Sequence, residues 1–285
     1  MVVVKLYGGL GNQMFQYAMG KAVAEARKCE LYYEGEYFRN SEKFGSSWTY
    51  QLDLLKTNIK EWKPSYLNLF NLFARALNKF NINLPGFYFE KNHTYRPEIH
   101  STSAQFFFGY FQSELNFNKI RPILLQEFES RTKASEQNQV LIQKMQSCEA
   151  VALHVRRGDY LTQASTQVHG TCNLDYYRKC IAHISQKVSN PVFFIFSDDQ
   201  AWTKENLKID FECHFIDHNK GEQSYWDMLL MKNCKHNITA NSSFSWWGAW
   251  LNTNPNKIVM APAKWYNDTS INTENLHPKD WIKVQ

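Results

Sequence analysis

Residues 150–160 read AVALHVRRGDY, an apolar run that ends in a histidine, two arginines, a glycine and an aspartate. An uninterrupted apolar run of this length is typical of a strand buried in a parallel sheet. The charged residues therefore fall at the carboxyl end of the strand, where ligands bind in open α/β sheets. A solvated loop with a local ion pair is the simpler interpretation, but it does not explain the histidine or the paired arginines. We interpret this strand end as the centre of a functional site.

The same arrangement occurs twice more in the second half of the chain. Residues 191–196 (PVFFIF) precede Ser197-Asp198-Asp199, and residues 236–240 (HNITA) precede Asn241-Ser242-Ser243. Segments with helical spacing separate these runs, and this alternation predicts βαβ units and a parallel sheet. We call the polar residues that follow the three runs, 156–159, 197–199 and 241–243, the polar tips. Because parallel strands end at the same edge of a sheet, we expect the three polar tips to lie close together there.

The chain begins with a further βα unit. Residues 2–7 predict a strand, residues 8–12 (GGLGN) a glycine-rich turn and residues 13–28 a helix. The backbone amides of such a turn and the N-terminus of its helix can face an anion or a reacting group. The turn is not a dinucleotide fingerprint, because Met14 occupies the third glycine position. A tight turn with a purely structural role is an equal alternative.

The length of 285 residues and the 44% hydrophobic content predict one large or two medium-sized α/β domains, and we favour two. We place the boundary in the polar helical stretch around residues 130–146. This gives an N-terminal domain of residues 1–140 and a C-terminal domain of residues 141–285. The net charge of +5 is mild, and the basic residues are dispersed. The chain therefore lacks the clustered basic surface of a nucleic-acid-binding protein.

The six cysteines are scattered, with no CxxC pair and no histidine at zinc-ligand spacing. This pattern predicts free thiols in a reducing compartment. The sequence begins directly with a strand pattern, without a signal peptide, and no apolar run has the length of a membrane span. We therefore expect a cytoplasmic protein.

Residues 66–80 have the apolar spacing of an amphipathic helix, with Tyr66, Leu69, Phe73 and Leu77 on one face. Packing of this face against a sheet is the interpretation that we favour, because most amphipathic helices in globular proteins face a core. An interfacial helix that lies on a membrane is the alternative.

Aromatic residues make up 15% of the chain, enough for sugar- or base-stacking surfaces as well as for the core. Trp246, Trp247 and Trp250 lie on the predicted helix that follows the third polar tip. Because this helix enters a packed domain, we interpret the three tryptophans as core residues rather than as sugar platforms.

The polar tips predict a diphosphate site. Guanidinium groups match phosphate oxygens, and Ser242 or Ser243 can cap a helix whose exposed amides bind an anion. The absence of GxxxxGK[ST] excludes a P-loop. Asp198 and Asp199 admit two functional interpretations, a pair of metal ligands or an acceptor for the N–H groups of a purine such as guanine. The absence of DxD spacing and of a histidine cluster favours the second, and an exposed acidic pair with no role is a third possibility.

Five motifs stand in one order along the chain. They are residues 8–17 (GGLGNQMFQY), 109–114 (GYFQSE), 154–160 (HVRRGDY), 196–199 (FSDD) and 241–250 (NSSFSWWGAW). As a set they closely resemble the α-1,2-fucosyltransferases of glycosyltransferase family 11. The resemblance implies a GT-B architecture, with two Rossmann-like domains of parallel sheets facing a cleft. It also implies that the C-terminal domain binds GDP-fucose, that the N-terminal domain is on the acceptor side, and that no cofactor or metal ion is required.

The implied reaction is an inverting transfer of L-fucose from GDP-β-L-fucose to the 2-hydroxyl of a terminal β-galactoside. The acceptor is then an oligosaccharide or a lipid-linked glycan, as in O-antigen and other carbohydrate biosynthesis. Because the chain lacks the membrane anchor and stem of the animal enzymes, it resembles a bacterial cytoplasmic member with at most a peripheral contact at the inner face of the membrane. The alternatives are a related transferase for another nucleotide sugar and a catalytically silent nucleotide-sugar binder.

The resemblance also implies roles for residues in these motifs. Arg156 corresponds to the β-phosphate ligand, and His154 to a neighbour that orients the diphosphate or the base. The remaining donor-side residues are Asp198 as the guanine acceptor, Ser242 and Ser243 as phosphate-side hydroxyls, and Asn12 and Gln13 in the lining of the cleft.

Inversion requires a group that accepts the proton of the acceptor hydroxyl. Asp159 is our candidate, because it lies three residues after Arg156 on the same loop. The competing interpretation is that Asp159 only pairs with the neighbouring arginines, which would lower its pKa and weaken it as a base. In that case the base is His154 or a carboxylate of the N-terminal domain.

Overall fold

The computed structural model describes residues 1–45, 47–64, 66–79, 82, 84–158, 168 and 170–285. The chain divides into two compact units, Met1–Arg131 with Asn272–Leu276 and Thr132–Ile271 with His277–Gln285. The predicted boundary at residue 140 falls within a helix, Glu136–Ser147, that belongs to the second unit.

The first unit contains a five-stranded parallel sheet in the order β3-β2-β1-β5-β4. Its strands are β1 (Val2–Lys5), β2 (Leu31–Glu34), β3 (Lys60–Glu61), β4 (Phe87–Phe89) and β5 (Phe106–Phe108), and its helices are α1 (Leu10–Arg27), α2 (Glu36–Arg39), α3 (Leu67–Lys79) and α4 (Arg121–Glu127). The predicted first βα unit is thus confirmed. From β1 the chain adds β2 and β3 on one side and β5 and β4 on the other, so the direction of winding reverses between β1 and β5.

The second unit contains a six-stranded parallel sheet in the order β11-β10-β9-β6-β7-β8. Its strands are β6 (Glu149–Val155), β7 (Pro191–Ser197), β8 (Cys213–Ile216), β9 (His236–Ile238), β10 (Val259–Pro262) and β11 (Ile282–Val284), and its helices are α5 (Glu136–Ser147), α6 (Leu174–Lys187), α7 (Gln200–Asn206), α8 (Tyr225–Met231) and α9 (Ser243–Leu251). This is the strand order of a doubly wound Rossmann fold, with its switch point between β6 and β9.

The apolar run of β6 is buried on both faces of the sheet. Val151 and Leu153 pack into a core with residues of α6, whereas Ala150 and Ala152 pack into a second core with Phe194 of β7. Both faces are covered because helices lie on each side of a doubly wound parallel sheet. Trp246, Trp247 and Trp250 of α9 are 2% exposed or less, which confirms their prediction as core residues.

The packing face predicted for α3 is only partly correct. Leu77 is buried, whereas Leu69 and Phe73 are 70% and 47% exposed. Asn71 lies on the buried face of α3 instead and is 2% exposed. Its Nδ2 donates to Glu34 Oε1 at 3.3 Å. This polar contact turns part of the apolar stripe outward. No helix in the described part of the chain, α3 included, is long and apolar enough to cross a membrane.

Candidate functional site

The predicted polar tips follow three neighbouring strands of the second sheet. β9, β6 and β7 are adjacent and parallel, and the register pairs His154 with Phe196 and Val155 with Ser197. The segments after these strands therefore lie at one edge of the sheet, as predicted. The switch point between β6 and β9 is at the same edge, which is where doubly wound sheets bind nucleotides.

Asp198 contacts the loop that follows β6, residues 156–158, with both of its carboxylate oxygens. Its Oδ2 lies 3.2 Å from Nη1 of Arg156, and its Oδ1 accepts the backbone N–H of Arg157 at 2.8 Å. A Cβ on Gly158 would lie 2.8 Å from Oδ2, so only glycine allows this close approach. A carboxylate offers about four lone-pair sites, of which the loop uses two. The guanine contact predicted for Asp198 stays a prediction that depends on the remaining sites.

Arg157 is fixed by a different set of contacts. Its Nε lies 3.4 Å from Asp199 Oδ2, and its guanidinium lies over the Trp202 ring at 3.6 Å from the ring centroid. Asp199 also caps α7, because its Oδ1 accepts the backbone N–H of Trp202 at 3.1 Å. Arg157 thus braces the loop, whereas Arg156 lies at the sheet edge with a side chain that is 21% exposed. Trp202 was not predicted as part of the site, although it lies three residues after Asp199, whose type and position before a helix are those of an N-cap.

His154 is a neutral, buried histidine. It is 5% exposed, and burial lowers its pKa to about 4, with the nearby Arg156 acting in the same direction and Asp198 opposing them. Its ring centroid lies 6.0 Å from that of Phe244 in α9, and its Nδ1 has no hydrogen-bond partner among the described residues. A neutral imidazole offers one N–H donor and one acceptor. His154 can therefore orient a ligand by a hydrogen bond but does not supply a positive charge near pH 7.

The third tip is a braced turn at the N-terminus of α9. Asn241 Nδ2 donates to the carbonyl oxygens of Gly170 and Trp265 at 3.2 and 3.1 Å. Ser242 is the N-cap residue, and its side chain makes no capping hydrogen bond to the helix, while Ser243 is the first helical residue. The first N–H groups of a helix have no acceptor within the helix, and together with the positive end of the helix dipole they are suited to an anion at this point.

Asn12 and Gln13 lie in the first unit, where α1 begins. Asn12 Oδ1 accepts a hydrogen bond from Gln112 Nε2 at 2.8 Å, which joins two of the sequence motifs. Gln13 has no exposed surface, and its Nε2 donates to the carbonyl oxygens of Gly8 and Thr49 at 2.9 and 2.8 Å. Its Oε1 accepts a further backbone N–H. These bonds occupy the amide, so Gln13 shapes the glycine-rich turn and has no polar group directed at a ligand.

Asp159 lies outside the described residues, so its role as a base stays a prediction. The described loop ends at Gly158. Both arginines before it already contact other carboxylates, Arg156 with Asp198 and Arg157 with Asp199. Both interpretations of Asp159, as the base and as a structural partner of the arginines, therefore stay predictions.

Comparison with known proteins places these features in a wider context. Residues 1–285 match the model of a family described as Glycosyl transferase family 11. The chain is 33% identical to an alpha-1,2-colitosyltransferase of Escherichia coli over 296 residues, which cover 100% of this chain and 99% of the relative. It is 31% identical over 303 residues to the O-antigen biosynthesis glycosyltransferase WbnK of Escherichia coli, with 98% and 99% covered. The fold is similar to that of the fucosyltransferase NodZ from Bradyrhizobium, with a TM-score of 0.50, 14% identity, and 87% and 91% of the two chains covered.

Proposed function

The chain belongs to glycosyltransferase family 11 and has the two Rossmann-like units of a GT-B enzyme, and we propose that it is a galactoside α-1,2-fucosyltransferase. In this proposal it moves L-fucose, with inversion, from GDP-β-L-fucose to the 2-hydroxyl of a terminal β-galactoside on an oligosaccharide or a lipid-linked glycan. The observation that carries the proposal is the position of Arg156 beside the switch point between β6 and β9, where α9 begins.

Arg156 and the N-terminus of α9 stabilise the GDP leaving group. As the glycosidic bond breaks, negative charge grows on the β-phosphate, and preorganised donors lower the barrier most where charge develops. Asp198 fixes the Arg156 guanidinium at 3.2 Å, so little reorganisation is required when the diphosphate binds. Ser242 and Ser243 add hydroxyl donors at the positive end of the helix. His154 orients the diphosphate or the base as a neutral hydrogen-bonding group.

Asp159 accepts the proton from the acceptor hydroxyl in this mechanism. Direct displacement with inversion requires a base on the acceptor side of the sugar. In the sequence Asp159 follows Arg156 by three residues, which supports a base close to the proposed diphosphate ligand.

The proposed reaction needs no divalent metal ion. A metal site at the acidic pair would require carboxylate oxygens that are instead in contact with guanidinium groups, Asp198 with Arg156 and Asp199 with Arg157. In this proposal Arg156 supplies the positive charge that a metal ion would otherwise supply to the diphosphate.

Transfer of colitose is the second candidate function. It is favoured by the 33% identity to the colitosyltransferase along the full length of both chains. Colitose is fucose without its 3-hydroxyl group, so the two donors differ by one hydrogen-bonding group. A site that hydrogen-bonds a substrate hydroxyl rejects an analogue lacking it by about 10⁴ to 10⁵, whereas an apolar site discriminates far less.

A comparison of the two donors tests the proposal. The purified protein is incubated with GDP-fucose or GDP-colitose and with lactose or β-galactosyl-terminated oligosaccharides, and the linkage of each product is read by NMR. We expect α-1,2-fucosyl products with the higher kcat/KM for GDP-fucose. Transfer of colitose alone would overturn the donor assignment, and GDP binding without transfer or hydrolysis of either donor would indicate a silent binder.

We also propose a peripheral membrane contact through α3, since lipid-linked glycans are acceptors at a membrane surface. Tyr66, Leu69 and Leu72 are 58%, 70% and 66% exposed on the outward face of this segment. The helix carries no acidic residue, and Arg75 and Lys79 lie in its C-terminal half. An apolar face next to basic residues is the composition of a helix that lies in an anionic lipid interface.

A further inference from the structure

A cavity of about 390 Å³ lies in the first unit, at the edge of the sheet where β1, β4 and β5 end. The winding of this sheet reverses between β1 and β5, so the cavity occupies its switch point, the usual ligand position in a doubly wound sheet. Its wall includes Lys5, Tyr7, Asn71, Glu90, His93 and Tyr110.

One wall of the cavity is fixed by Glu90. Its carboxylate accepts the backbone N–H groups of Tyr110 at 2.7 Å and of Phe111 at 3.0 Å. A Cβ on Gly109 would lie 2.4 Å from Glu90 Cβ, so glycine is required for this approach. The contacts hold Phe111 at a φ of +55°, a left-handed conformation that is rare for an aromatic residue. The wall is therefore preorganised rather than a loosely packed surface.

Asn71 supplies a buried acceptor. The residue is 2% exposed, and its Nδ2 donates to Glu34 Oε1 at 3.3 Å. Its Oδ1 is buried and has no hydrogen-bond partner among the described residues. Buried polar atoms in proteins are nearly always hydrogen-bonded, so a cavity-lining residue with an unpartnered acceptor is compatible with a ligand that carries a donor such as a hydroxyl group.

The charges at the cavity are balanced within the protein. Lys5 Nζ lies 2.9 Å from Glu34 Oε2 and 3.3 Å from Glu36 Oε2, and Arg75 Nη2 lies 2.9 Å from the same Glu36 oxygen. Glu90 adds a third carboxyl group. Its pKa is raised above the usual value, because the effect of burial is larger than the opposing effect of the two backbone N–H bonds. The two cations in the wall, Lys5 and Arg75, therefore have carboxylate partners within the protein, which disfavours a phosphate or another anion and favours a neutral ligand.

The remaining wall is aromatic. The Tyr110 ring centroid lies 4.7 Å from that of Tyr7, edge to face, and 5.3 Å from that of His93, with ring planes 17° apart. Apolar ring surface beside a few fixed polar groups is typical of small-molecule sites. The C–H-rich face of a pyranose matches the aromatic part of such a wall, and its hydroxyls match polar wall residues such as Glu90.

We propose that this cavity binds a neutral sugar unit of the acceptor glycan. The inference rests on the proposed transferase function. The volume is at the lower end of the range of about 300–1,000 Å³ for ligand pockets, which suits a sugar ring rather than a nucleotide sugar.

Two substitutions in the wall test the proposal. Asn78→Trp fills the cavity from α3, and His93→Ala removes an aromatic face. The matched control is Ala76→Trp, at an exposed position of the same helix outside the cavity wall. We expect the acceptor KM to rise about tenfold or more in both wall variants, the effect of losing one or two good contacts. GDP affinity by calorimetry, acceptor-independent donor hydrolysis and the control variant should remain unchanged.

A binding measurement without donor separates this proposal from the proposed function. Saturation-transfer NMR with a β-galactosyl-terminated oligosaccharide should give a signal with the wild type and with Ala76→Trp and lose it with Asn78→Trp. Equal signals in all three proteins, or an unchanged acceptor KM in both wall variants, would overturn the sugar site. Loss of the signal in Asn78→Trp alone supports the site even if neither GDP-sugar is transferred, in which case the proposed function fails instead.

Discussion

At the scale of single residues, the two adjacent arginines have separate tasks. Arg156 lies at the edge beside the switch point and is held by Asp198, whereas Arg157 lies over Trp202 and contacts Asp199. A single carboxylate that holds both a side chain and a backbone N–H fixes the direction of the Arg156 fork.

Arg156→Lys should lower kcat/KM by at least roughly a hundredfold. Lysine keeps the charge but loses the planar fork, so the loss resembles removal of one preorganised donor to the leaving group. Steady-state kinetics with GDP-fucose measure it. The matched control is Arg157→Lys, which should have a smaller effect because Arg157 braces the loop from outside the proposed phosphate contact. An equal loss in both variants would show that loop integrity, and not the fork, limits turnover.

Asp198→Asn should reduce the preference of the protein for GDP over ADP by about tenfold or more. The amide removes one carboxylate oxygen from the predicted guanine contact, and a hydrogen bond to a charged group contributes about 1.5–3 kcal/mol. Calorimetry with GDP and ADP gives the ratio. If both affinities fall by the same factor, Asp198 acts only by holding Arg156, and the guanine contact has to be assigned elsewhere.

Asp159→Asn should keep GDP binding while transfer falls by a factor on the order of 10² to 10⁴, the range for general-base catalysis. Calorimetry with GDP and a transfer assay are measured on the same preparation. A collapse of GDP binding together with transfer would mean that Asp159 is structural, and His154 or a carboxylate of the first unit would then be the candidate base.

At the scale of elements, α3 differs most from its pattern in the sequence. Asn71 and Leu77 face inward, and Leu69, Leu72 and Phe73 face outward. An amphipathic stripe is therefore retained, but part of it is exposed. A contiguous patch of exposed apolar side chains is typical of a surface that binds a protein or a membrane.

Leu69→Glu combined with Phe73→Glu should lower binding to vesicles containing phosphatidylglycerol by at least roughly tenfold. The change removes two apolar side chains from the lipid interface, each contributing about 1.5–3 kcal/mol when fully buried, and adds negative charge. Cosedimentation measures the binding. Val140→Glu on α5, at a position that is 60% exposed, is the matched control and should bind like the wild type. Undiminished binding of the double variant would remove α3 as the contact.

At the scale of the whole molecule, the chain builds the same kind of unit twice. Each unit is a parallel sheet with one reversal of winding, between β1 and β5 in the first and between β6 and β9 in the second. In the proposed function, Arg156 and the N-terminus of α9, both in the second unit, bind the diphosphate.

Exhaustive treatment with EDTA should leave transfer activity largely intact, because arginine and helix amides replace a metal ion at the diphosphate. A chelated and an untreated sample are compared in the transfer assay, and a Mn²⁺- or Mg²⁺-supplemented sample serves as the control. Activity that is lost on chelation and restored by either ion would reassign Asp198 and Asp199 as metal ligands.

The sequence by itself predicted β1, β6, β7 and β9, the parallel sheet of the second unit and the family. Apolar runs such as residues 150–155, interrupted by polar tips, allow little besides buried parallel strands, and local period and turn chemistry are readable from neighbouring residues. The five motifs carried the family assignment in the same way, because each is a short contiguous stretch. The burial of Trp246 also followed from its place on a helix that enters a core.

Only the tertiary structure decided which polar groups meet. Asp198 joins Arg156 across 42 positions of sequence, Gln13 bonds to Thr49, and Asn71 reaches Glu34, which turns α3. The cavity between β1, β4 and β5 likewise exists only once Tyr7, Glu90 and Tyr110 are brought together. Each of these choices depends on distances between residues far apart in the chain. Periodicity and composition carry no information about such distances, because they describe what a residue's neighbours are and not what it will touch.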